Sequence, residues 1–173
     1  MIARLVGSEM CIRDRLGEVR EVHAWFGEFN FKPGHWWDKP SEFPPKKQTI
    51  PKTLDWDLWL GPAKNRNYNK VYVPKSWRGF FDFGNGQLGD WSCHTLDAPF
   101  WALGLGMPNS VFGHVPNPRT KENFVADKST VEFNFPANNK RKSVKLKWYE
   151  GGFKPKFDDS FPLKKIPNLG MIM

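Results

Sequence analysis

The sequence predicts an α/β (α+β) domain: an open, mixed and largely antiparallel sheet with helices on one face. Three observations predict it. Four stretches alternate apolar and polar residues at the period of a half-buried strand. One stretch, from residue 86 to about 104, carries apolar residues at helical spacing instead. Three of the strand-like stretches follow one another after that helix, separated by turns, and such runs favour antiparallel or mixed pairing with the helix laid on the sheet.

Taken in order, residues 17–29 (GEVREVHAWFGEF) read as a strand in which Val22, Ala24 and Phe26 alternate against His23 and Trp25. From Lys32 to Lys52 the chain carries Pro33, Pro40, Pro44, Pro45 and Pro51, the mark of a long loop. Residues 53–63 (TLDWDLWLGPA) read as a short helix stopped by Gly61 and Pro62. The long helix can draw an apolar stripe from Leu88, Trp91, Cys93, Leu96, Phe100 and Leu103. Pro99 should kink it or begin a second segment. SVFGHVP, STVEFNFPA and KSVKLKWYEGG then supply three strands. In the second of these, Val131, Phe133 and Phe135 alternate with Glu132 and Asn134. In the last, Val144, Leu146 and Trp148 oppose Lys145 and Lys147.

Composition narrows the function classes. With 173 residues, 39% hydrophobic and 25% charged, the chain suits one globular domain, and no apolar run approaches the length a membrane-spanning helix needs. The formal charge of +8 sits mostly between Lys140 and Lys165, where the basic residues alternate with apolar ones. That is the solvated face of a strand rather than a nucleic-acid footprint. Two cysteines, Cys11 and Cys93, form no metal knuckle or disulfide framework. Nine Trp and fifteen Phe point either to a core built on rings or to a surface that stacks on flat ligands such as sugars. Residues 1–15 (MIARLVGSEMCIRDR) do not continue the pattern that follows and read as a leader foreign to the domain, which then runs from 16 to 173. The other end, FPLKKIPNLGMIM, reads as truncated, without a closing strand. Localisation cannot be read from these residues.

Two signatures overlap in FGNGQLGDWSCHTLD (83–97). Gly84, Gly86 and Gly89 have the spacing of a dinucleotide-binding loop. That loop needs a buried parallel strand before it and an acidic ribose ligand about 20 residues after it. Here the preceding WRGFFDF lacks a β-branched run, and no Asp or Glu lies between Asp97 and Glu122. The glycines are therefore expected to allow a close backbone approach or to start the helix. The second signature is a polar stripe. Asp90 and His94 are i and i+4 on one helix face, and Asp97 continues it. Carboxylates beside an imidazole can hold its tautomer and suit it to general acid–base work. An ordinary polar face with an intrahelical ion pair fits the same spacing. So does a metal site that adds His23, His35 or His114.

LDWDLWLGPA, VPKSWRGFFDFGNGQLGDWSCHTLDAPFWALGLGMP, STVEFNFPA and VKLKWYEGG, in that order, resemble the C-terminal domain of the Gfo/Idh/MocA oxidoreductases. The likeness runs from about residue 17 to 155, and its central block is the specific part. The resemblance implies an open mixed sheet that presents the substrate site. It implies the substrate-binding and acid–base half of an NAD(P)-dependent dehydrogenase for a sugar, polyol or related hydroxyl compound. His94 matches the family's acid–base on the substrate hydroxyl, and Asp90 its orienting partner. Asp97 matches a commonly acidic position. Arg78, with Trp77 beside it, falls where substrate contacts often lie, and Trp77 and Phe80 could stack on a sugar ring. The cofactor, NAD or NADP, would be bound mainly by the family's N-terminal Rossmann domain, whose glycine loop and Glu-Lys-Pro motif are not among these residues. The chain would then hold half an active site and be inactive alone. A homo-oligomer is implied for the whole enzyme; nucleic acid, membrane and bound metal are not. Two other classes remain open from the residues: a non-catalytic carbohydrate-binding module, and a metal-dependent hydrolase or isomerase built on the Asp90–His94 stripe.

Overall fold

A computed structural model describes residues 17–27, 39–157 and 166–173. The expected leader, His35 and the first part of the proline-rich loop lie outside the described residues. Strand β1 is Glu21–Phe26, helix α1 is Trp56–Leu60, and helix α2 is Gly86–Leu103. Strands β2 (Ser110–His114), β3 (Ser129–Phe135), β4 (Val144–Glu150) and β5 (Leu169–Ile172) follow. They form one five-stranded sheet in the order β2-β3-β4-β1-β5. Strands β1 and β4 run parallel, Val22 opposite Leu146 and Ala24 opposite Trp148. The other three pairings are antiparallel. The sheet is mixed and largely antiparallel, as the alternation predicts.

Alternation decides which way each strand faces. In β4, Val144, Leu146 and Trp148 are buried while Lys145, Lys147 and Tyr149 stand half-buried on the opposite face. Full burial of one such apolar side chain stabilises the fold by about 1.5–3 kcal/mol. The apolar side receives α2. Leu88, Trp91 and Leu96 pack on Ala24, Phe26 and Trp148, and Leu103 on Val22 and Leu146. On the other face Glu132 of β3 meets Lys145 at 3.8 Å and Lys147 at 3.5 Å, so the basic residues of β4 are paired across the strand. Part of the aromatic load goes inside. Trp56, Tyr68, Tyr72, Phe80 and Phe124 form a second apolar cluster under the loops before α2.

Helix α1 begins where Asp55 caps it, its Oδ1 accepting from the Leu58 N–H at 2.9 Å. Helix α2 ends on Gly104 in the left-handed conformation, whose N–H returns to the carbonyls of Phe100 and Trp101. Pro99 does not divide the helix. It is buried, and α2 runs unbroken from Gly86 to Leu103 because Leu96, Pro99 and Leu103 lie on the line that meets the sheet. Cys93 and Phe100, expected in the apolar stripe, fall to one side of that line. Cys93 is exposed and Phe100 is 43% exposed.

The C-terminal stretch differs from expectation, since Leu169–Ile172 closes the sheet beside β1. Its signal in the sequence is weak because the strand has four residues and a glycine among them. Gly170 is required by contact: a Cβ there would lie 2.5 Å from the Trp25 ring. Trp25, expected on the solvated side with His23, is buried beneath this strand and donates from Nε1 to the Pro167 carbonyl at 2.8 Å. The described part of the proline-rich loop is tied down as well, through Lys39 to Asp127 at 2.8 Å and Gln48 N–H to the Tyr68 carbonyl at 2.8 Å.

At the end of β4, Gly151 has φ +68°, and an added Cβ would collide with the Asp127 carbonyl oxygen. Gly152 has φ +86° but open space around it. Gly152→Ala should therefore cost about 1–2 kcal/mol of backbone strain alone. Gly151→Ala should cost roughly 1–3 kcal/mol more from overpacking against backbone. Urea unfolding of the two variants measures the difference; equal losses would contradict the close approach of β4 to the loop before β3.

Candidate active site

The polar stripe lies on the side of α2 that turns away from the sheet. With about 3.6 residues per turn, Asp90, His94, Asp97 and Trp101 fall opposite the line of Leu88, Ser92, Pro99 and Leu103. Their exposure agrees: His94 and Asp97 are exposed and Trp101 is 67% exposed.

Arg78 reaches this face from a single 3-10 turn, Ser76–Gly79. Its Nε donates to Asp90 Oδ1 at 3.3 Å and its Nη1 to the Lys75 carbonyl at 3.3 Å. The guanidinium lies over the Trp77 ring, 4.4 Å from its centroid, and Trp77 Nε1 donates to the Pro74 carbonyl at 3.0 Å. Three of the expected site residues, Trp77, Arg78 and Asp90, are thus brought together. The ion pair has side-chain exposures of 23% and 27%, so it stays within reach of a bound molecule. His94 stands one turn further along, its ring edge-on to Trp91 at 5.6 Å. Trp91 in turn stacks on Phe26 of β1 at 4.4 Å, which gives the imidazole a rigid backing.

The expected contact between carboxylates and imidazole is not made. Asp90 is turned to Arg78, and among the described residues His94 and Asp97 form no ion pair or hydrogen bond. An intrahelical Asp90–His94 pair is likewise not formed. Helix geometry places the two side chains as neighbours, and the more persistent charge of the guanidinium takes the carboxylate. Phe80 is 2% exposed within the aromatic cluster, so it offers no face to a sugar. Trp77 has one face covered by Arg78.

The glycines have structural work. A Cβ on Gly84 would meet the Arg78 carbonyl oxygen at 2.6 Å and its Cα at 2.8 Å, so a side chain there would push the arginine turn away. Gly86 opens α2 with φ +64° against Val125, whose Cγ1 would lie 2.9 Å from a Cβ. The segment before them is an irregular aromatic turn, and no parallel strand feeds it. These residues do not form a dinucleotide cradle.

Among the described residues no group of three or more His, Cys, Asp or Glu is placed to hold a metal ion. His23 lies on the sheet face away from α2, its Nδ1 2.8 Å from the Tyr149 hydroxyl and its Nε2 3.6 Å from Glu21. Burial lowers its pKa, with Glu21 opposing. His114 ends the edge strand β2. No helix among the described residues is long and apolar enough to cross a membrane.

One residue behind this face went unread in the sequence. Glu150 ends β4 on its buried side, in phase with Val144, Leu146 and Trp148, and is 7% exposed. Its Oε1 accepts from Ser129 Oγ at 2.6 Å and its Oε2 from Trp148 Nε1 at 3.0 Å. The signal was its parity: a carboxylate in the apolar phase of a strand needs buried donors.

The structure is a mixed sheet carrying one long helix, with an Arg–Asp pair and a histidine on that helix's outward face. The family model described as "Oxidoreductase family, C-terminal alpha/beta domain", that of the Gfo/Idh/MocA proteins, matches residues 21–140, and the chain belongs to this family. No curated protein matches the chain.

Burial raises the Glu150 pKa above its ordinary 4.5, against the lowering effect of its bonds from Ser129 and Trp148. A carboxyl whose folded pKa is raised binds its proton more tightly in the folded state, so its contribution is fully present below pH 4.5. It is lost as pH rises through the raised value. Relative to Glu150→Gln, which has no proton to lose, the unchanged protein should therefore be most favoured near pH 4 and lose ground as pH rises. Urea unfolding of both proteins across this range reads the difference, and a gap independent of pH would contradict it.

Proposed function

We propose that this chain is the substrate-binding and acid–base half of an NAD(P)-dependent dehydrogenase acting on a sugar, polyol or related hydroxyl compound. The observation that carries the reading is the outward face of α2, where Arg78 and Asp90 form a half-exposed pair one helical turn from His94. Donors, an acceptor and a titratable base on one surface suit a neutral ligand rich in hydroxyls. Asp90 accepts from a substrate hydroxyl, and Arg78 donates to a neighbouring oxygen while keeping the carboxylate in place. His94, exposed and without a hydrogen-bond or ion-pair partner among the described residues, takes the proton from the hydroxyl oxygen at the carbon that is oxidised and returns it in the reverse direction. Asp97 extends the polar face by a turn. Trp77, pinned by its bond to Pro74, fixes the plane of the Arg78 guanidinium and offers its other face to a sugar edge.

The nicotinamide, bound mainly by the Rossmann domain that family members carry N-terminal to this one, supplies hydride acceptance. Gly84, Gly86 and Gly89 are committed to packing, which supports placing the dinucleotide on that other domain.

In the complete two-domain enzyme, His94→Ala should lower turnover by about 10²–10⁴, the usual worth of general acid–base catalysis. Steady-state kinetics checks this, and activity within about threefold of the parent would refute the role given to His94. The 173-residue chain alone should show no measurable NAD(P) binding by calorimetry. A dissociation constant in the micromolar range would mean that a dinucleotide site lies in this chain after all.

A further inference from the structure

The outward stripe of α2 does not stop at Asp97. Trp101 lies seven residues beyond His94, which brings it back into line with the histidine about 10 Å further along the helix axis. It is 67% exposed, and among the described residues its indole has no ring contact, hydrogen bond or cation above it. The other described tryptophans are all engaged. Trp25, Trp56 and Trp148 are buried, Trp59 and Trp91 are stacked on rings, and Trp77 lies under Arg78.

The residues between His94 and Trp101 give the stripe a low floor. Ala98 stands four after the histidine and three before the tryptophan, on the same line, and it is exposed; Asp97 beside it is exposed as well. A long side chain on a helix leans back toward the N-terminus, over the residues three and four before it. For Trp101 those residues are Ala98 and Asp97, and the alanine methyl leaves room there. A titratable base, a shallow floor flanked by a carboxylate and an open indole thus follow one another along one line. The indole offers a flat apolar face to the C–H side of a pyranose, while Asp97 accepts from its hydroxyls. One sugar ring does not span the distance from His94 to Trp101, whereas two linked rings do.

We propose that Trp101 is a specificity-determining residue: it stacks on the sugar unit next to the one oxidised at His94, so that the substrate is a disaccharide or longer glycoside rather than a free monosaccharide or short polyol. The inference rests on the proposed role of this face and narrows the substrate class given to it.

The experiment measures NAD(P) reduction by the complete two-domain enzyme on cellobiose, maltose, lactose and melibiose, beside glucose and galactose. Stacking on an indole is worth about 2–10-fold in affinity. At least one disaccharide should exceed both of its constituent monosaccharides in kcat/KM by that factor. Trp101→Ala should abolish the advantage by raising KM for the disaccharide, with its kcat and the monosaccharide constants within about twofold of the parent. Trp101→Phe, which keeps a ring, should retain part of it. A parent enzyme that prefers none of the disaccharides would overturn the proposal, and so would a preference that survives Trp101→Ala. An equal loss on monosaccharides and disaccharides would give the indole a structural or interdomain role and overturn it as well. In each of these cases the acid–base reading stands if His94→Ala still removes turnover. Full activity in the His94 variant would instead sink that reading.

Discussion

A carboxyl group taken out of water at the end of a central strand organises the half of the molecule that matters. Glu150 sits at the buried end of β4 beside β3, and each strand contributes a donor to it: the Ser129 hydroxyl and the Trp148 indole N–H. Hydrogen bonds to a charged group are worth about 1.5–3 kcal/mol each, whereas a buried carboxyl without them would be strongly destabilising. The arrangement is coherent only if both strands keep their register. The parallel pairing of β1 with β4 brings Phe26 alongside, and Phe26 carries Trp91, on which the His94 ring rests. Sheet register and site geometry are thereby one constraint.

A second anchor works from the other side. The aromatic cluster around Phe80 and Phe124 holds the irregular segment that delivers Arg78, and Gly84 lets the chain double back against the arginine's own backbone. Arg66 and Asn123 both bond to Asp82, tying the loops on either side of α2 together. The ring-rich composition thus serves mainly to build a rigid frame under a loop that has almost no regular secondary structure.

Much of this was legible in the sequence because period and phase are robust signals. Val144, Leu146 and Trp148 announced both a strand and its buried face, and the residues from 86 to 104 announced a helix that the structure reproduces almost to its ends. The features that were not legible depend on contacts between distant segments. Pro99 argued for a break, but tertiary packing on the sheet carried the helix through it. Strand β5 is too short and glycine-bearing to show itself, since Gly170 exists for the ring of Trp25 far away in the chain. At the site, spacing alone put Asp90 beside His94. Only the fold could show that Arg78 takes the carboxylate; the glycines' close approach and helix start were already expected, and the fold supplies the partners, Arg78 and Val125. Glu150 was readable in principle, by its phase, as an acid on the apolar side of a strand.

The central claim is that the outward face of α2 meets a hydroxylated substrate. A crystal structure of the complete enzyme with a bound polyol and oxidised cofactor tests it most directly. The account predicts a substrate hydroxyl oxygen within hydrogen-bond distance, about 2.6–3.2 Å, of a His94 ring nitrogen, with Asp90 and Arg78 on the same or the adjacent hydroxyl. A polyol seated elsewhere, with His94 open to solvent in the closed complex, would contradict it.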